Sequence, residues 1–439
     1  MSSSTLQLPA TPSRERLFIA ALLLLFVAVS IQYSVKALQH RSAFVRWQSQ
    51  VLAMDAGEDI AKKFNYPNPP IMAVLLLPLA SMPPLAGALT WFYLKVGMAL
   101  VAMHWVFRLV EEQGRPFPPL AQALTVLLSL RPILGDLEHG NVNLFILFLV
   151  LAALAAFRAR RDVLGGLVLG LAISCKVTPA LFVPYLVWKR SWRSLAGLVL
   201  GLGLFLWPGI VPSMRLGFAE NQQQLTSWYE EMVRPYMVEG KITSDHPNQS
   251  LPGLVARLLT ASPSFSTYVN DEYTPTEYDN FLNLDSTQAK WLVRGCMGLF
   301  ALAVVWTCRT PASTRQGLRL SAEYGLIVIG MLLFSERTWK HHCVTLLLPF
   351  AVLSYYLMAC RPTRADVRLV AVILLSVTLL MASTSTFLDK DFAKQAQVYG
   401  AYTLANLLLA GALVWLLRTT ANRSDLAQAT SFPGIAHPL

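Results

Sequence analysis

Long apolar runs recur along almost the whole chain, and they constrain the fold more than any other feature of the sequence. Runs of about 17–20 residues lie between Leu17 and Leu417, and only 14% of the 439 residues are charged. An α-helix of that length matches the thickness of the hydrocarbon core of a bilayer. Because the runs are continuous rather than alternating, they favour helices over a membrane β-barrel. The sequence therefore predicts an all-α, polytopic integral membrane protein and excludes a soluble enzyme.

About twelve transmembrane helices are predicted from these runs. They are placed at residues 17–34, 84–107, 119–134, 143–157, 162–175, 177–189, 194–212, 291–308, 319–334, 342–358, 367–384 and 400–417. An even number of spans puts both chain termini on the same side of the membrane. The first run follows a polar leader and is interpreted as a retained anchor helix.

Two regions leave the number of spans open. The proline pair 83–84 interrupts a stretch that is too long for one span, so residues 71–82 are expected to form a re-entrant or interfacial helix. The runs 162–175 and 177–189 are either two short spans or one tilted helix kinked at Pro179. The second interpretation would reverse the side of every later loop.

Basic residues gather in seven short segments between or beside the apolar runs. These are Arg14/Arg16, Arg108/Arg115, Arg158/Arg160/Arg161, Lys189/Arg190/Arg193, Arg309/Arg315/Arg319, Arg361/Arg364/Arg368 and Arg418/Arg423. The twelve-span assignment puts all seven on one side, which the positive-inside rule identifies as cytoplasmic. The formal net charge of +11 is therefore interpreted as membrane-protein loops, and no nucleic-acid partner is expected.

The topology predicts a simple organisation in the inner (cytoplasmic) membrane of a bacterium. We expect a cytoplasmic leader (1–16), a transmembrane domain (17–418) with outer loops 35–70 and 213–290, and a cytoplasmic tail (419–439). Polar residues at the outer ends of the spans are then the candidates for chemistry, because ionisable groups at membrane depth are costly and usually functional.

The first candidate cluster is acidic and lies in the first outer loop. Asp55, Glu58 and Asp59 precede an expected helix, and they could supply a general base or bind a divalent cation such as Mg²⁺ or Mn²⁺. The alternative is a solvated acidic turn. The spacing does not require a metal, so no metal ligand is assigned.

The second cluster is the turn between two predicted spans, RPILGDLEHGNVN. It holds Arg131, Asp136, Glu138, His139, Asn141 and Asn143. Side chains that both donate and accept hydrogen bonds suit sugar hydroxyls, so the last four are predicted to bind a sugar or acceptor and Arg131 a phosphate. The alternative is that the two asparagines cap a helix.

Two further segments add polar candidates. Lys176 lies in an apolar stretch, where it either snorkels or, at the outer end of its span, holds a phosphate. Lys95 is similar, but the sequence names no partner for it. In the long outer loop, Asn248 and Gln249 are predicted to bind polar substrate, and residues 250–259 to form an amphipathic helix lying on the membrane.

The last cluster is the basic turn FSERTWKHH, which the topology places outside against the positive-inside trend. Arg337 and Lys340 are predicted to neutralise a phosphate. His341 or His342 would orient the phosphate or transfer a proton, and Trp339 offers an apolar face to a sugar or lipid. The alternative is a set of snorkelling interface residues.

These motifs, taken in order, resemble a known family. They are YPNPP (66–70), HGNVNL (139–144), Lys176-x-x-Pro179, WKRSWR (188–193), NQSLPGLVARLL (248–259) and TWKHH (338–342). The set is similar to the bacterial membrane glycosyltransferases of family 87. The resemblance implies the C-type glycosyltransferase fold and an inverting transfer on the outer face, from a polyprenyl-phosphate sugar to a lipid or glycan acceptor.

The resemblance also implies a catalytic Asp in the first outer loop and a functional His in the TWKHH turn. The slot for that Asp is Ala43 here, within Ala43-Phe44-Val45-Arg46-Trp47. Either Asp55 or Asp59 takes over the role of base, or the activity differs or is lost. The Gly-Gln-x-Asn turn of many relatives is replaced by His139–Asn143, which bears on the sugar or acceptor rather than on the fold.

The working hypothesis is a membrane hexosyltransferase, with mannose or a related hexose or pentose as the sugar. Lys176, Arg337 and Lys340 would hold the donor phosphate, and Asp59 or Asp55 would accept the acceptor's proton. No nucleotide-binding glycine loop occurs in the sequence, so the donor is expected to be a lipid of the membrane. The alternatives are a lipid-linked sugar transporter or flippase, or a non-catalytic membrane protein of envelope assembly.

Overall fold

The computed structural model describes residues 14–269, 272–360, 362–385 and 388–430, and almost all of its regular structure is helical. The α-helices are α1 (Arg14–Leu38), α2 (Ala43–Asp55), α3 (Ile60–Phe64), α4 (Pro70–Ala80), α5 (Pro84–Val110), α6 (Pro119–His139), α7 (Asn143–Arg158), α8 (Asp162–Cys175), α9 (Phe182–Trp188), α10 (Trp192–Phe205), α11 (Ile210–Leu216), α12 (Phe218–Trp228), α13 (Leu251–Leu259), α14 (Ser286–Thr307), α15 (Leu318–Leu333), α16 (Leu347–Ala359), α17 (Arg364–Ser383), α18 (Lys390–Val398) and α19 (Ala401–Thr430). The predicted all-α class is confirmed. Most of the predicted leader, and the tail beyond Thr430, lie outside the described residues.

Shorter elements complete the fold. Two 3₁₀ segments cover Thr178–Leu181 and Lys340–Leu346, and a π-helix covers Tyr229–Val238. One antiparallel hairpin, β1 (Phe265–Val269) and β2 (Glu272–Glu277), lies within the long loop between α13 and α14.

The described residues contain eight helices that are long and apolar enough to cross a membrane. They are Ile19–Leu38, Pro84–Val110, Pro119–His139, Trp192–Leu216, Ser286–Thr307, Lys340–Ala359, Arg364–Ser383 and Ala401–Thr420. The other four predicted spans fall on α7, α8, the segment 178–188 and α15, which are shorter. The protein is thus a multi-pass membrane protein, and the count of twelve spans stays a prediction.

Both uncertain regions have a clear conformation. α4 ends at Ala80 and α5 begins at Pro84, so the chain breaks at the proline pair as predicted. α8 ends at Cys175, and Lys176 then adopts an extended backbone conformation. A polar residue with an extended backbone interrupts the helix there, so residues 162–189 do not form one continuous kinked helix.

The chain returns across the bundle after Lys176. Asp162, at the start of α8, pairs with Arg315 at 2.6 Å. Lys189, just after α9, reaches Glu323 of α15 at 2.7 Å. Arg315 and Glu323 both lie at or near the start of α15, so α8 and α9 run in opposite directions. This supports two short crossings rather than one.

Basic loops meet at one end of the bundle. Arg158 Nε donates to Gln316 at 2.8 Å, and the Tyr355 hydroxyl donates to the Arg115 carbonyl at 2.7 Å. The start of α15 contributes to this end, which we call the basic end. An α-helix rises about 1.5 Å per residue, so the 16-residue α15 carries the chain about 24 Å to the opposite end.

Small residues allow α8 and α10 to pack closely. A Cβ atom on Gly166 would lie 1.9 Å from the Ser194 carbonyl oxygen, and one on Gly197 would lie 2.0 Å from the Val163 carbonyl oxygen. In lipid, where tails are as apolar as side chains, such backbone proximity is a main source of helix–helix attraction. The close packing of α8 against α10 fixes the position of α8, which ends at Cys175, directly before Lys176.

The predicted helix at 250–259 forms as α13, but its surroundings differ from the expectation. Ser250 caps it by accepting a hydrogen bond from the Gly253 amide at 3.2 Å. Its apolar side packs on protein, where Val255 meets Ala289 and Val293 of α14. The expectation of a helix lying on the membrane was wrong, because a neighbouring helix covers its apolar face.

Candidate active site

A buried ion pair joins two transmembrane helices at the centre of the candidate site. Lys95 of α5 lies 3.2 Å from the Asp136 carboxylate of α6, and both side chains are 0% exposed. Lys95 also donates to the Asp136 carbonyl oxygen at 2.8 Å. Asn143 donates to the same carboxylate at 2.9 Å, and the Leu144 amide does so at 3.3 Å. These bonds anchor the start of α7 to the last turns of α6.

The turn between α6 and α7 requires glycine at position 140. Its φ of +67° lies in the left-handed region, and a Cβ atom there would lie 2.3 Å from Ser42 Oγ and 2.9 Å from the Tyr33 hydroxyl. Trp91 donates to the Gly140 carbonyl at 3.2 Å. The turn is therefore held by α1, α5 and the residue before α2.

The structure brings three sequence motifs together around this turn. Lys176 Nζ donates to Asn143 Oδ1 at 2.6 Å. Asn141 Nδ2 and His341 Nε2 lie 3.0 Å apart, and the ring centres of His139 and His341 are 4.6 Å apart. The HGNVN turn, Lys176 and the TWKHH turn therefore form one cluster, which we call the His–Asn cluster.

Trp339 lies at the edge of this cluster. Its ring centre is 5.6 Å from that of His341 and 6.5 Å from that of His342, and it is stacked with the latter. Trp339 is 42% exposed, whereas His341 is buried. An exposed aromatic face beside buried polar groups is suited to contact a sugar ring or a lipid chain.

Arg131 and Lys340 converge on Thr384, at the end of α17. Arg131 donates to Thr384 Oγ1 at 3.2 Å and to the Tyr402 hydroxyl at 3.3 Å. Lys340 donates to the Thr384 carbonyl at 3.1 Å. Among the described residues, neither cation has a carboxylate at ion-pairing distance. Two partly buried positive charges beside neutral oxygens favour an anion between them.

Arg337 belongs to a different group. It pairs with Glu336 at 2.8 Å, donates to Thr243 Oγ1 at 3.0 Å, and donates to the Tyr236 hydroxyl. Burial raises the pKa of Glu336, and the positive charge of Arg337 opposes that rise. Because Arg337 has a carboxylate partner, its charge is compensated, and its role in phosphate binding stays a prediction.

The first-loop acids contact segments other than the His–Asn cluster. Asp59 caps α3 by accepting from the Lys62 amide at 3.2 Å, and it also accepts from the Ser227 hydroxyl. Asp55 pairs with Arg215 at 2.6 Å. The structure thus joins this loop to α11 and α12, and the role of either Asp as a base stays a prediction.

Glu138 is nearer to the His–Asn cluster in sequence than Asp55 and Asp59 are, because it directly precedes His139. Its carboxylate accepts from Gln32 at 2.8 Å and from Lys36 at 2.6 Å, and its side chain is 32% exposed. Ala43, the slot of the Asp implied by the resemblance, follows Ser42, which contacts Gly140. Position 43, where this sequence has Ala instead of the implied Asp, therefore lies next to the candidate site.

Asn248 and Gln249 are buried and make their hydrogen bonds within the protein. Asn248 donates to the carbonyls of Thr243 and Glu336 and accepts from the amides of Ser250 and Thr338. Gln249 donates to the carbonyls of His246 and Gln397. The Asn248 amide ties the long loop to the TWKHH turn, whereas the Gln249 amide ties it to Gln397 of α18 and to the Tyr402 amide at the start of α19. Their predicted contact with substrate stays a prediction.

The sequence left several site residues without a role. Lys95 and Asp136 are opposite charges in apolar spans, and that property alone could have suggested the pair. Thr384, Tyr402, Gln32 and Lys36 carry no motif that would have identified them. They reach the site because α1 packs against α6 and because Arg131 of α6 extends to the end of α17 and the start of α19.

The family model of glycosyltransferase family 87 matches residues 66–336. The chain belongs to glycosyltransferase family 87. The match includes the HGNVN turn and Lys176, so the membership expected from the ordered motifs is confirmed.

Relatives in curated collections are mannosyltransferases by name. A polyprenol-phosphate-mannose-dependent alpha-(1-2)-phosphatidylinositol mannoside mannosyltransferase of Mycolicibacterium smegmatis is 27% identical over 66% of this chain and 62% of its own length. A phosphatidylinositol pentamannoside mannosyltransferase of Mycobacterium tuberculosis, also polyprenol-phosphate-mannose-dependent, is 27% identical over 58% of this chain and 57% of its own. The chain thus aligns with less than two thirds of either relative.

Among solved structures, ArnT from Cupriavidus metallidurans in the apo state aligns with 90% of this chain and 77% of its own. The two are 15% identical, and the TM-score is 0.41.

Proposed function

We propose that this protein is a membrane glycosyltransferase. It transfers a sugar, mannose or a related hexose or pentose, from a polyprenyl-phosphate donor to a lipid or glycan acceptor. The observation that carries the proposal is the convergence of Arg131 and Lys340 on Thr384 without a carboxylate partner among the described residues. The transfer releases a lipid phosphate, and two cations at one point would stabilise the charge that develops on it.

The surroundings of the two cations support the rest of the reaction. The donor's lipid tail would lie along the apolar helices, with its phosphate at Arg131 and Lys340. The His–Asn cluster would bind sugar hydroxyls through Asn141, His139 and His341, and Trp339 would cover an apolar face of the ring. Lys176, which donates to Asn143, would orient this side of the cluster or reach the phosphate.

For the base that accepts the acceptor's proton, we propose Asp59 or Asp55. Glu138 is the alternative that the contacts add, because it precedes His139 and is partly exposed. Removing a general base costs about 10²–10⁴-fold in rate. We therefore expect one of the two variants Asp59→Asn and Asp55→Asn to lose turnover on that scale while Glu138→Gln loses less. A loss confined to Glu138→Gln would move the base to that residue.

We propose that the reaction takes place on the outer face of the inner membrane, with both termini in the cytoplasm. The basic loops collect at one end of the bundle, and the His–Asn cluster lies where α6, α8 and α15 end or have just ended, away from the starts of α8 and α15. The positive-inside rule then makes the end with the cluster external.

The proposal is tested with purified protein in lipid and a radiolabelled polyprenyl-phosphate mannose. Release of polyprenyl phosphate is followed with phosphatidylinositol mannoside or a membrane lipid extract as acceptor, with and without EDTA. Loss of one charge-assisted contact costs about 1.5–3 kcal/mol, so Lys340→Met should reduce turnover about 10- to 100-fold. The EDTA arm tests whether Mg²⁺ or Mn²⁺ takes part.

Lys394→Met is the matched control, because Lys394 is an exposed lysine of α18 that pairs with Asp391 at 3.5 Å. Equal turnover of wild type and Lys340→Met would overturn the assignment of the phosphate site. Movement of the donor between leaflets without release of polyprenyl phosphate would favour a flippase instead.

A further inference from the structure

A cavity lies at the basic end of the bundle, far from the His–Asn cluster. Its volume is about 600 Å³, which is within the range of small-molecule sites. It is lined by the loop before α15, the first residues of that helix, Arg160 after α7, and Glu112 after α5. α15 spans about 24 Å between this cavity and the turn that carries Trp339.

The lining of this cavity is predominantly positive. Arg160, Arg315 and Arg319 face one acidic residue, Glu112. Glu112 already has a cationic partner, because Arg115 lies 3.7 Å from its carboxylate. The cavity therefore carries an excess of positive charge, which an anion would balance.

Several donors in the lining have no partner among the described residues. The Nε atoms of Arg315 and Arg319 are buried without a hydrogen bond, and so is the hydroxyl of Thr310. Thr310 is only 7% exposed, and it lines the cavity. A buried polar group without a partner costs about 1–3 kcal/mol. The three atoms are themselves covered, so a ligand in the cavity would satisfy them once their side chains turn towards it.

The start of α15 adds further donors. Gly317 precedes the helix with a φ of +112°, and its amide donates to the Leu109 carbonyl at 2.8 Å. The next amides belong to the first turn of the helix, where N–H groups have no partner within the helix. Backbone N–H groups and the positive end of the helix dipole favour an anion there, especially a phosphate.

We propose that this cavity is a binding site for a phosphate group with a net negative charge. The ligand is either the headgroup phosphate of an anionic phospholipid in the adjacent leaflet or free inorganic phosphate. Arg319 and Thr310 would bind its oxygens directly. Arg315 would contribute through Nε, while its other two side-chain nitrogen atoms donate to the Asp162 carboxylate at 2.6 and 3.2 Å.

The test uses purified full-length protein in detergent. Native mass spectrometry compares the retention of a phosphatidylglycerol and a phosphatidylcholine with the same acyl chains. A second arm measures the midpoint of thermal unfolding with added inorganic phosphate. Both arms are run on the wild type, Arg319→Gln, Thr310→Val and Arg309→Gln. Arg309 is the matched control, because it is an exposed arginine of the same loop that does not line the cavity.

We expect the wild type and Arg309→Gln to retain phosphatidylglycerol over phosphatidylcholine, and Arg319→Gln to bind it at least about tenfold more weakly. Thr310→Val changes no charge and should weaken binding in the same direction, so it replaces Arg319→Gln if that variant does not fold. A phosphate-dependent rise in the unfolding midpoint that needs Arg319, without a lipid preference, would identify free phosphate as the ligand. Equal retention of both lipids by all four proteins, with no effect of phosphate, would overturn the proposal.

Discussion

At the scale of single residues, the buried charges of the transmembrane helices determine how the candidate site is built. Lys95 and Asp136 are both inaccessible to solvent, and the Asp136 carboxylate also accepts from Asn143 and Leu144. One residue therefore neutralises a lysine and orients the turn that carries His139 and Asn141. The pair therefore supports the geometry of the candidate site, since its atoms are occupied by protein partners.

This arrangement predicts an asymmetric response to mutation. Lys95→Met leaves the Asp136 carboxylate buried without its cation, so we expect a loss of about 3–5 kcal/mol in the free energy of unfolding. The double variant Lys95→Met/Asp136→Asn removes both charges and should recover a large part of that loss. Thermal unfolding in detergent measures the difference. Equal stability of the single and double variants would show that the pair does not compensate charge.

Another residue-scale feature is the way the long loop between α12 and α14 fixes the TWKHH turn. Arg257 of α13 is fully buried and donates to the carbonyls of Ser244, Asn248 and Val398. Burial lowers the pKa of Arg257 to about 10. The long loop is thus held by a guanidinium that donates to backbone carbonyls. Asn248 in turn accepts a hydrogen bond from the Thr338 amide at 3.0 Å, which connects the loop to the TWKHH turn.

At the scale of helices, the close packing of α8 against α10 supports the position of Lys176. Gly166 and Gly197 lie where the two backbones approach most closely, and neither site has room for a Cβ atom. Lys176 directly follows α8, so the distance between these helices affects where its ammonium group meets Asn143.

Two glycines of α10 should therefore respond in opposite ways to the same substitution. Gly197→Ala places a methyl group against the Val163 carbonyl, and overpacking of this kind costs about 1–3 kcal/mol. Gly203→Ala has no atom within 4 Å of the new Cβ and should be neutral or slightly stabilising, because alanine has the higher helix propensity. The midpoint of thermal unfolding of each variant is compared with the wild type. Equal effects at the two positions would contradict the packing described here.

At the scale of the whole molecule, polarity is divided between the two ends of the bundle. The basic loops, with Arg158, Arg315 and Lys189, interlock at one end. The His–Asn cluster and the Arg131–Lys340 pair lie towards the other. The same separation keeps the proposed phosphate cavity apart from the candidate active site.

This division predicts the sidedness of chemical labelling in intact cells. Cys175, Cys308 and Cys343 are buried, so a background with Cys296→Ser and Cys360→Ser should react little. In that background, Lys394→Cys should react with a membrane-impermeant maleimide from outside, and Arg309→Cys only after permeabilisation. The reverse pattern would place the candidate active site on the cytoplasmic face.

Much of the site could be predicted from local patterns because its motifs are short and their chemistry is local. A glycine between polar residues predicts the turn at Gly140, and an intramembrane lysine predicts a functional or paired charge at Lys176. The sequence could not show which motifs lie next to each other in the folded protein. Asn141 and His341 are 200 residues apart in sequence and only 3.0 Å apart in space.

The sequence by itself determined the membrane class, the apolar helices and the break before Pro84, because hydrophobic length and proline restrictions act over a few turns of chain. The ordered motifs identified the family, because each motif is a short local string. Tertiary packing decided which residue neutralises Lys95 and brought Arg131 and Lys340 together at Thr384. It also decided the contacts of Asp55 and Asp59 with α11 and α12. These contacts depend on how helices distant in sequence pack side by side. Hydrophobic periodicity specifies that a helix is buried, and it leaves open which neighbour buries it.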